Sequence, residues 1–177
     1  MFNTDFLLTS LVVVLIPGTG VIYTVSTGLF LGWRASIAAA FGCTAGIIPH
    51  LFASILGLSA LLHLSAVAFQ CVKFAGAAYL LYLAWSMWRD TGAMKFNSPS
   101  SKNGLWQIVM KGFLLNILNP KLSIFFLAFL PLFVNPNTIS PMFDMFILSI
   151  VFMGMTLIVF ILYGILANSV RRHVINS

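Results

Sequence analysis

Asn116-Ile117-Leu118-Asn119-Pro120-Lys121 brings two amides, a helix-breaking proline and an ammonium group into an otherwise apolar segment. Far upstream, Ile16-Pro17-Gly18-Thr19-Gly20 repeats the proline break among small residues. A proline has no N–H to donate, so it frees the carbonyl four residues back: Val13 for Pro17, Asn116 for Pro120. Hydrocarbon has no water to satisfy such carbonyls, and a charge at its centre costs a few kcal/mol even on lenient insertion scales. Polar groups that costly predict a functional cavity.

The other titratable residues narrow the chemistry. His50 falls within an apolar segment and Lys73 well inside another, which makes them candidates to carry protons. Cys43 and Cys71 show neither CxxC nor metal-ligand spacing and read as packing residues. Asp5, Asp90 and Asp144 fall just outside the apolar segments, so no carboxylate is expected near the midplane. With no clustered His/Asp/Glu set and no nucleophile beside a base, the sequence argues against an enzyme, a metal site or a cofactor.

The elements that must position these residues are membrane helices. Sixty per cent of the residues are hydrophobic and 7% are charged, against roughly a quarter charged in soluble domains. The net charge of +6 is dispersed between apolar blocks rather than gathered in a stripe, which argues against nucleic acid as a partner. A hydrocarbon core of about 30 Å takes roughly 20 helical residues. Apolar segments over 6–23, 35–58, 66–88, 112–134 and 145–167 therefore predict an all-α integral membrane protein with five transmembrane helices, the first and fourth interrupted by proline. Residues 24–34 read as a short connection, and Gly42-x-x-x-Gly46 as a helix-packing face. Asp5 in place of a basic start argues against a cleaved signal peptide, so the first segment is expected to stay.

Charge sets the expected orientation. Arg34, the polar 89–111 segment with four of the nine basic residues, and Arg171-Arg172 fall on one side of this threading. The turns at 59–65 and 135–141 hold no lysine or arginine. The positive-inside tendency then places the N-terminus outside and the C-terminus of the chain in the cytoplasm.

The 89–111 segment divides a single membrane domain over 1–177 into a first three-helix repeat at 6–88 and an incomplete second repeat at 112–177. Two such units joined this way are inserted oppositely, the 3+3 inverted-repeat plan of many secondary transporters. Without a sixth helix, the chain is expected either to be truncated or to be covered by a partner, such as a second copy in a homo-oligomer.

Several motifs together resemble the LysE/RhtB amino-acid exporters. They are Pro17-Gly18 with Gly20, the Gly-rich second segment, Lys73-Phe74-Ala75-Gly76-Ala77-Ala78-Tyr79-Leu80, and Lys111-Gly112-Phe113 through Asn116-x-x-Asn119-Pro120-Lys121 with Phe125-Phe126 and Pro131. Family members read Pro-Gly-Pro in the first helix, where this chain has Pro17-Gly18-Thr19, and they continue into a sixth helix. The resemblance implies export of amino acids or close derivatives across the bacterial plasma membrane, driven by the proton gradient.

It also assigns expected roles. Lys121 would hold the substrate carboxylate, helped by N–H groups at the half-helix after Pro17-Gly18-Thr19-Gly20. Asn116 and Asn119, beside Pro120, would supply amides, and the Val13 and Asn116 carbonyls would receive the ammonium. With no carboxylate in the spans, proton coupling would use Lys73, Lys121, His50, the substrate itself or a residue of the sixth helix. Without an acidic signature in the spans, a neutral amino acid such as threonine or homoserine is favoured over a cationic one. The alternative is a non-transporting membrane scaffold, assembly subunit or inactive truncated exporter.

Overall fold

The computed structural model describes residues 4–62, 66–89, 104–135 and 138–175. Every regular element among them is helical. α1 (Thr4–Leu15) and α2 (Thr19–Leu31) flank the first proline break and meet at a 54° bend. α3 (Trp33–Ala45) and α4 (Ile48–Leu62) follow as a nearly continuous rod, and α5 (Ala66–Arg89) comes next. α6 (Leu105–Ile117) and α7 (Pro120–Ile124) flank the second break; α7 runs on through a π turn (Phe125–Phe129) and a 3-10 turn (Leu130–Phe133), giving a 52° bend. α8 (Pro141–Ile175) closes the chain.

By length and composition, Trp33–Gly57 and Pro141–Arg171 can each cross a membrane, and each bent pair adds a span, for up to four. The expected third span coincides with α5. The chain is thus an all-α membrane protein with two broken helices.

Three boundaries differ from the sequence reading. Most of 24–34, expected as a connection, is the body of α2. Its hydroxyls do not open the backbone, because Thr24, Ser26 and Thr27 each donate to the carbonyl four residues back, those of Gly20, Ile22 and Tyr23. The turn is confined to Gly32, whose φ of 91° and ψ of 179° suit a residue without Cβ. At the 89–111 segment, 90–103 lie outside the described residues, and the stretch from Leu105 onward already belongs to α6. Arg171, Arg172 and His173 continue α8 rather than follow it.

α3 is the centre of the packing, against α6, α2 and α8, and α2 lies along α8. Small residues permit the α3–α6 approach. A Cβ on Gly46 would sit 2.6 Å from the Phe113 carbonyl oxygen, and one on Gly112 would sit 3.0 Å from that of Ala39. Gly42 is closer still to the Val109 carbonyl. Gly42-x-x-x-Gly46 therefore works as a packing face. The second break is pinned to α8 by aromatic stacking: the Phe125 and Phe152 rings lie 4.6 Å apart, and Phe126 meets Phe152 edge-on at 5.4 Å.

Candidate functional site

The two breaks face each other. Lys121, second residue of α7, sends its Nζ across to the end of α1, where it donates to the carbonyls of Val13 and Ile16, both at 2.9 Å. An α-helix leaves its last carbonyls without intrahelical partners, and Pro17 removes the N–H that would have reached Val13. Side chains from elsewhere fill that vacancy. Besides Lys121, Tyr163 of α8 donates its hydroxyl to the Leu15 carbonyl at 3.3 Å. The C-terminal end of a helix carries partial negative charge, so an ammonium is stabilised there without a carboxylate.

The second break is built by its own residues. Asn119 is the N-cap of α7 and Pro120 its first residue, where a missing N–H is harmless. The Asn119 side-chain oxygen accepts from the Lys121 N–H at 3.1 Å, which fixes the turn that aims Lys121 at α1. Asn116, 2% exposed, donates its amide to the Cys43 carbonyl at 2.7 Å and so locks α6 to α3. Its Oδ1 accepts a longer bond, 3.4 Å, from the Asn119 amide.

The carbonyl that Pro120 releases is also taken. Asn116 O accepts from the Asn119 N–H and from His50 Nε2, both at 3.0 Å. Because a carbonyl only accepts, His50 Nε2 is the donor in this contact, and Nδ1 lies 3.3 Å from the Ser123 hydroxyl, which can donate or accept. The Ser123 hydroxyl has a second acceptor in the Asn119 carbonyl at 3.5 Å. Of the two carbonyls expected to receive a substrate ammonium, Val13 holds Lys121 and Asn116 holds His50.

Between the breaks lies a cavity of about 20 Å³. It is bounded on its polar side by Gly18, Gly20, Asn116, Asn119 and Lys121, and on its apolar side by residues that include Phe152 and Phe160. That volume holds about one water, so this conformation is closed around its polar groups. Among the described residues, no acidic side chain lines the cavity, and no three His, Cys, Asp or Glu side chains gather as they would for a metal.

Of the remaining candidates, Pro17 and Pro120 form the bends without lining the cavity, and Thr19 is exposed outside it. Lys73 lies on α5, its side chain outside the described residues. Ser123 and Tyr163 were not legible as site residues. Nor was the α8 stripe Phe152, Thr156 and Phe160, although its spacing of four residues is a helical face and offered the one available signal.

An all-helical membrane protein whose two proline-broken helices share one polar cavity has the features of a carrier-type fold. The model of the LysE type translocator family matches residues 11–176, and the chain belongs to that family. It is 36% identical over 132 residues to an uncharacterized membrane protein of Vibrio cholerae, covering 75% of this chain and 64% of that one. It is 33% identical over 132 residues, with the same two coverages, to a homoserine/homoserine lactone efflux protein of Salmonella typhimurium. A leucine efflux protein of Klebsiella pneumoniae is 27% identical over 146 residues, 82% of this chain and 69% of that one. The chain spans about 64% of the length of the first of these curated relatives. No solved structure matches it.

Proposed function

We propose that this chain carries the substrate site of a bacterial plasma-membrane exporter that moves neutral amino acids or their close derivatives out of the cytoplasm. The observation that carries the reading is the convergence of both proline breaks on one polar cavity, bridged by Lys121. The names of the relatives support the substrate class, since homoserine and leucine are amino acids with uncharged side chains and homoserine lactone is the cyclic ester of the first. The absence of an acidic side chain from the cavity lining points the same way.

In this reading Lys121 meets the substrate carboxylate. Its Nζ borders the cavity, where in this conformation it donates to the Val13 and Ile16 carbonyls. Gly18 gives α2 no side-chain cap, so the first N–H groups of α2 add to the anion site. Asn116 and Asn119 position the second break. The similar bends of 54° and 52° support a repeated plan of two broken helices, and the distribution of Arg34, the 89–111 segment and Arg171-Arg172 supports an N-terminus outside and a C-terminus of the chain in the cytoplasm. His50 is the proton-coupling candidate. Its neutral form satisfies both Asn116 and Ser123, whereas a proton on Nδ1 turns the Ser123 bond around and sends its hydroxyl toward Asn119.

Export by cells expressing the chain, challenged in turn with homoserine, leucine, threonine and lysine, tests the proposal. Saturable efflux of the neutral members supports it. Efflux of none, or of lysine alone, rejects it.

A further inference from the structure

The cavity between the breaks is too small for an amino acid, so one of its walls has to move for the proposed function to operate. Asn116 is tied to α3 through the Cys43 carbonyl, and Asn119 is tied into the first turn of α7. Phe152 is stacked against Phe125 and Phe126. Lys121 differs: its head is held only by contacts reaching across the cavity to α1, on a stem of four rotatable methylenes.

Its departure has a requirement. The Val13 and Ile16 carbonyls would be left without donors at a site walled by Val14, Val21 and Leu122. A water could donate to both carbonyls, but a primary ammonium brings the donors together with the positive charge that the end of α1 favours. Gly18 keeps the space in which such a head sits, since a Cβ there would lie 3.3 Å from Nζ and 3.6 Å from Cε.

We propose that the Val13 and Ile16 carbonyls, at the end of α1, form a binding site for primary ammonium groups, filled in this conformation by Lys121 and taken over by the α-ammonium of the transported amino acid. This rests on the exporter reading for its substrate but not for the site itself. The exchange replaces one ammonium by another, so the partial negative charge of the helix end is compensated throughout. Lys121, once released, pairs with the carboxylate of the same molecule. Lys121 is therefore both a stand-in for the substrate and a tether between the two broken helices, and a zwitterion is the ligand that can displace it and satisfy it at once.

The test uses the purified full chain in lipid nanodiscs, with ethylammonium as the probe. Lys121→Ala vacates the carbonyls, and ethylammonium should bind this variant at least about tenfold tighter than wild type, read as a rise in Tm and by calorimetry. Tetramethylammonium, which has no N–H, and sodium ion should give no such difference. Equal affinity in variant and wild type, equal stabilisation by tetramethylammonium, or preference for sodium each overturns the proposal. Should Lys121→Ala not fold, Lys121→Met keeps the stem and removes the donors, and the same outcomes apply.

In the wild-type chain, the Lys121 Nζ–Val13 C′ contact, followed by solid-state NMR, should weaken on adding homoserine; a contact unchanged at saturating homoserine overturns the exchange. If ethylammonium selects the variant while cells export no amino acid, the export reading fails and the ammonium site stands.

Discussion

Lys121 Nζ lies 2.9 Å from the carbonyl oxygen of Val13, 108 residues away in sequence. Pro17 frees that carbonyl, and the turn made by Asn119 and Pro120 delivers the amine to it, so the second break supplies what the first lacks. The second freed carbonyl, of Asn116, is met by His50 in the same way. Two interruptions that would each be unstable in hydrocarbon are thus satisfied by side chains, the first by Lys121 and the second by His50.

Asn116 holds this arrangement to α3. Asn116→Ala removes the donor to the Cys43 carbonyl at a position 2% exposed and should destabilise the chain by about 1–3 kcal/mol. Thermal unfolding in detergent reads the loss. A Tm equal to that of wild type would show that the Asn116–Cys43 bond has no structural role.

The glycines separate packing from tolerance. A Cβ on Gly42 or Gly112 meets backbone of the facing helix, which cannot rotate away, so Gly42→Ala and Gly112→Ala should each cost about 1–3 kcal/mol or more. Gly154 has nothing within 4 Å of its Cβ position. Gly154→Ala, on a helix face with open space, should be neutral or raise stability by up to about 1 kcal/mol. A fluorescence thermal-shift series on the three variants checks the order.

Gly20 presents a different case, because its Cβ would meet side chains, Asn116 Oδ1 at 2.8 Å and Phe160 at 2.9 Å. Both line the cavity, and Asn116 is tied to the Cys43 carbonyl, so it cannot give way freely. Gly20→Ala is expected to lower Tm and to lower amino-acid efflux at least about tenfold, roughly the effect of a displaced binding group. Thermal unfolding and transport assays on the variant check both effects, and wild-type values in both would show that Gly20 has no role in spacing the cavity.

His50 carries the prediction on pH. His50→Gln keeps an N–H donor for the Asn116 carbonyl but cannot take up a proton, so the chain should remain folded while efflux loses its response to an imposed pH gradient. His50→Ala should lose stability as well. Proteoliposomes with a controlled pH step give the readout, and a full gradient response in His50→Gln would remove His50 from the coupling role.

What the sequence disclosed follows from how local each signal is. Pro17 and Pro120 mark their bends because a missing N–H acts on the chain's own carbonyl, whatever the surroundings. Asn116, Asn119 and Lys121 stood out because amides and ammonium groups are rare within apolar runs. The partners of the freed carbonyls did not, since Val13 with Lys121 and Asn116 with His50 are pairings across the fold. The 24–34 stretch misled because Gly28 and Gly32 both read as connection residues, whereas Gly28 packs against Gly164 and Ala167 of α8 from within α2 and only Gly32 turns. The α8 wall of the cavity stayed hidden because Phe152 and Phe160 are ordinary residues for a membrane helix.

In the proposed function the two breaks form one substrate site organised by Lys121. It is tested most directly by substrate-concentration-dependent efflux from proteoliposomes containing the wild-type chain or Lys121→Ala, with homoserine and leucine as substrates. Wild type should give saturable efflux and Lys121→Ala a kcat/KM lower by at least about a hundredfold, the loss of a charge-assisted contact of about 3 kcal/mol. Efflux by Lys121→Ala at the wild-type rate would contradict it.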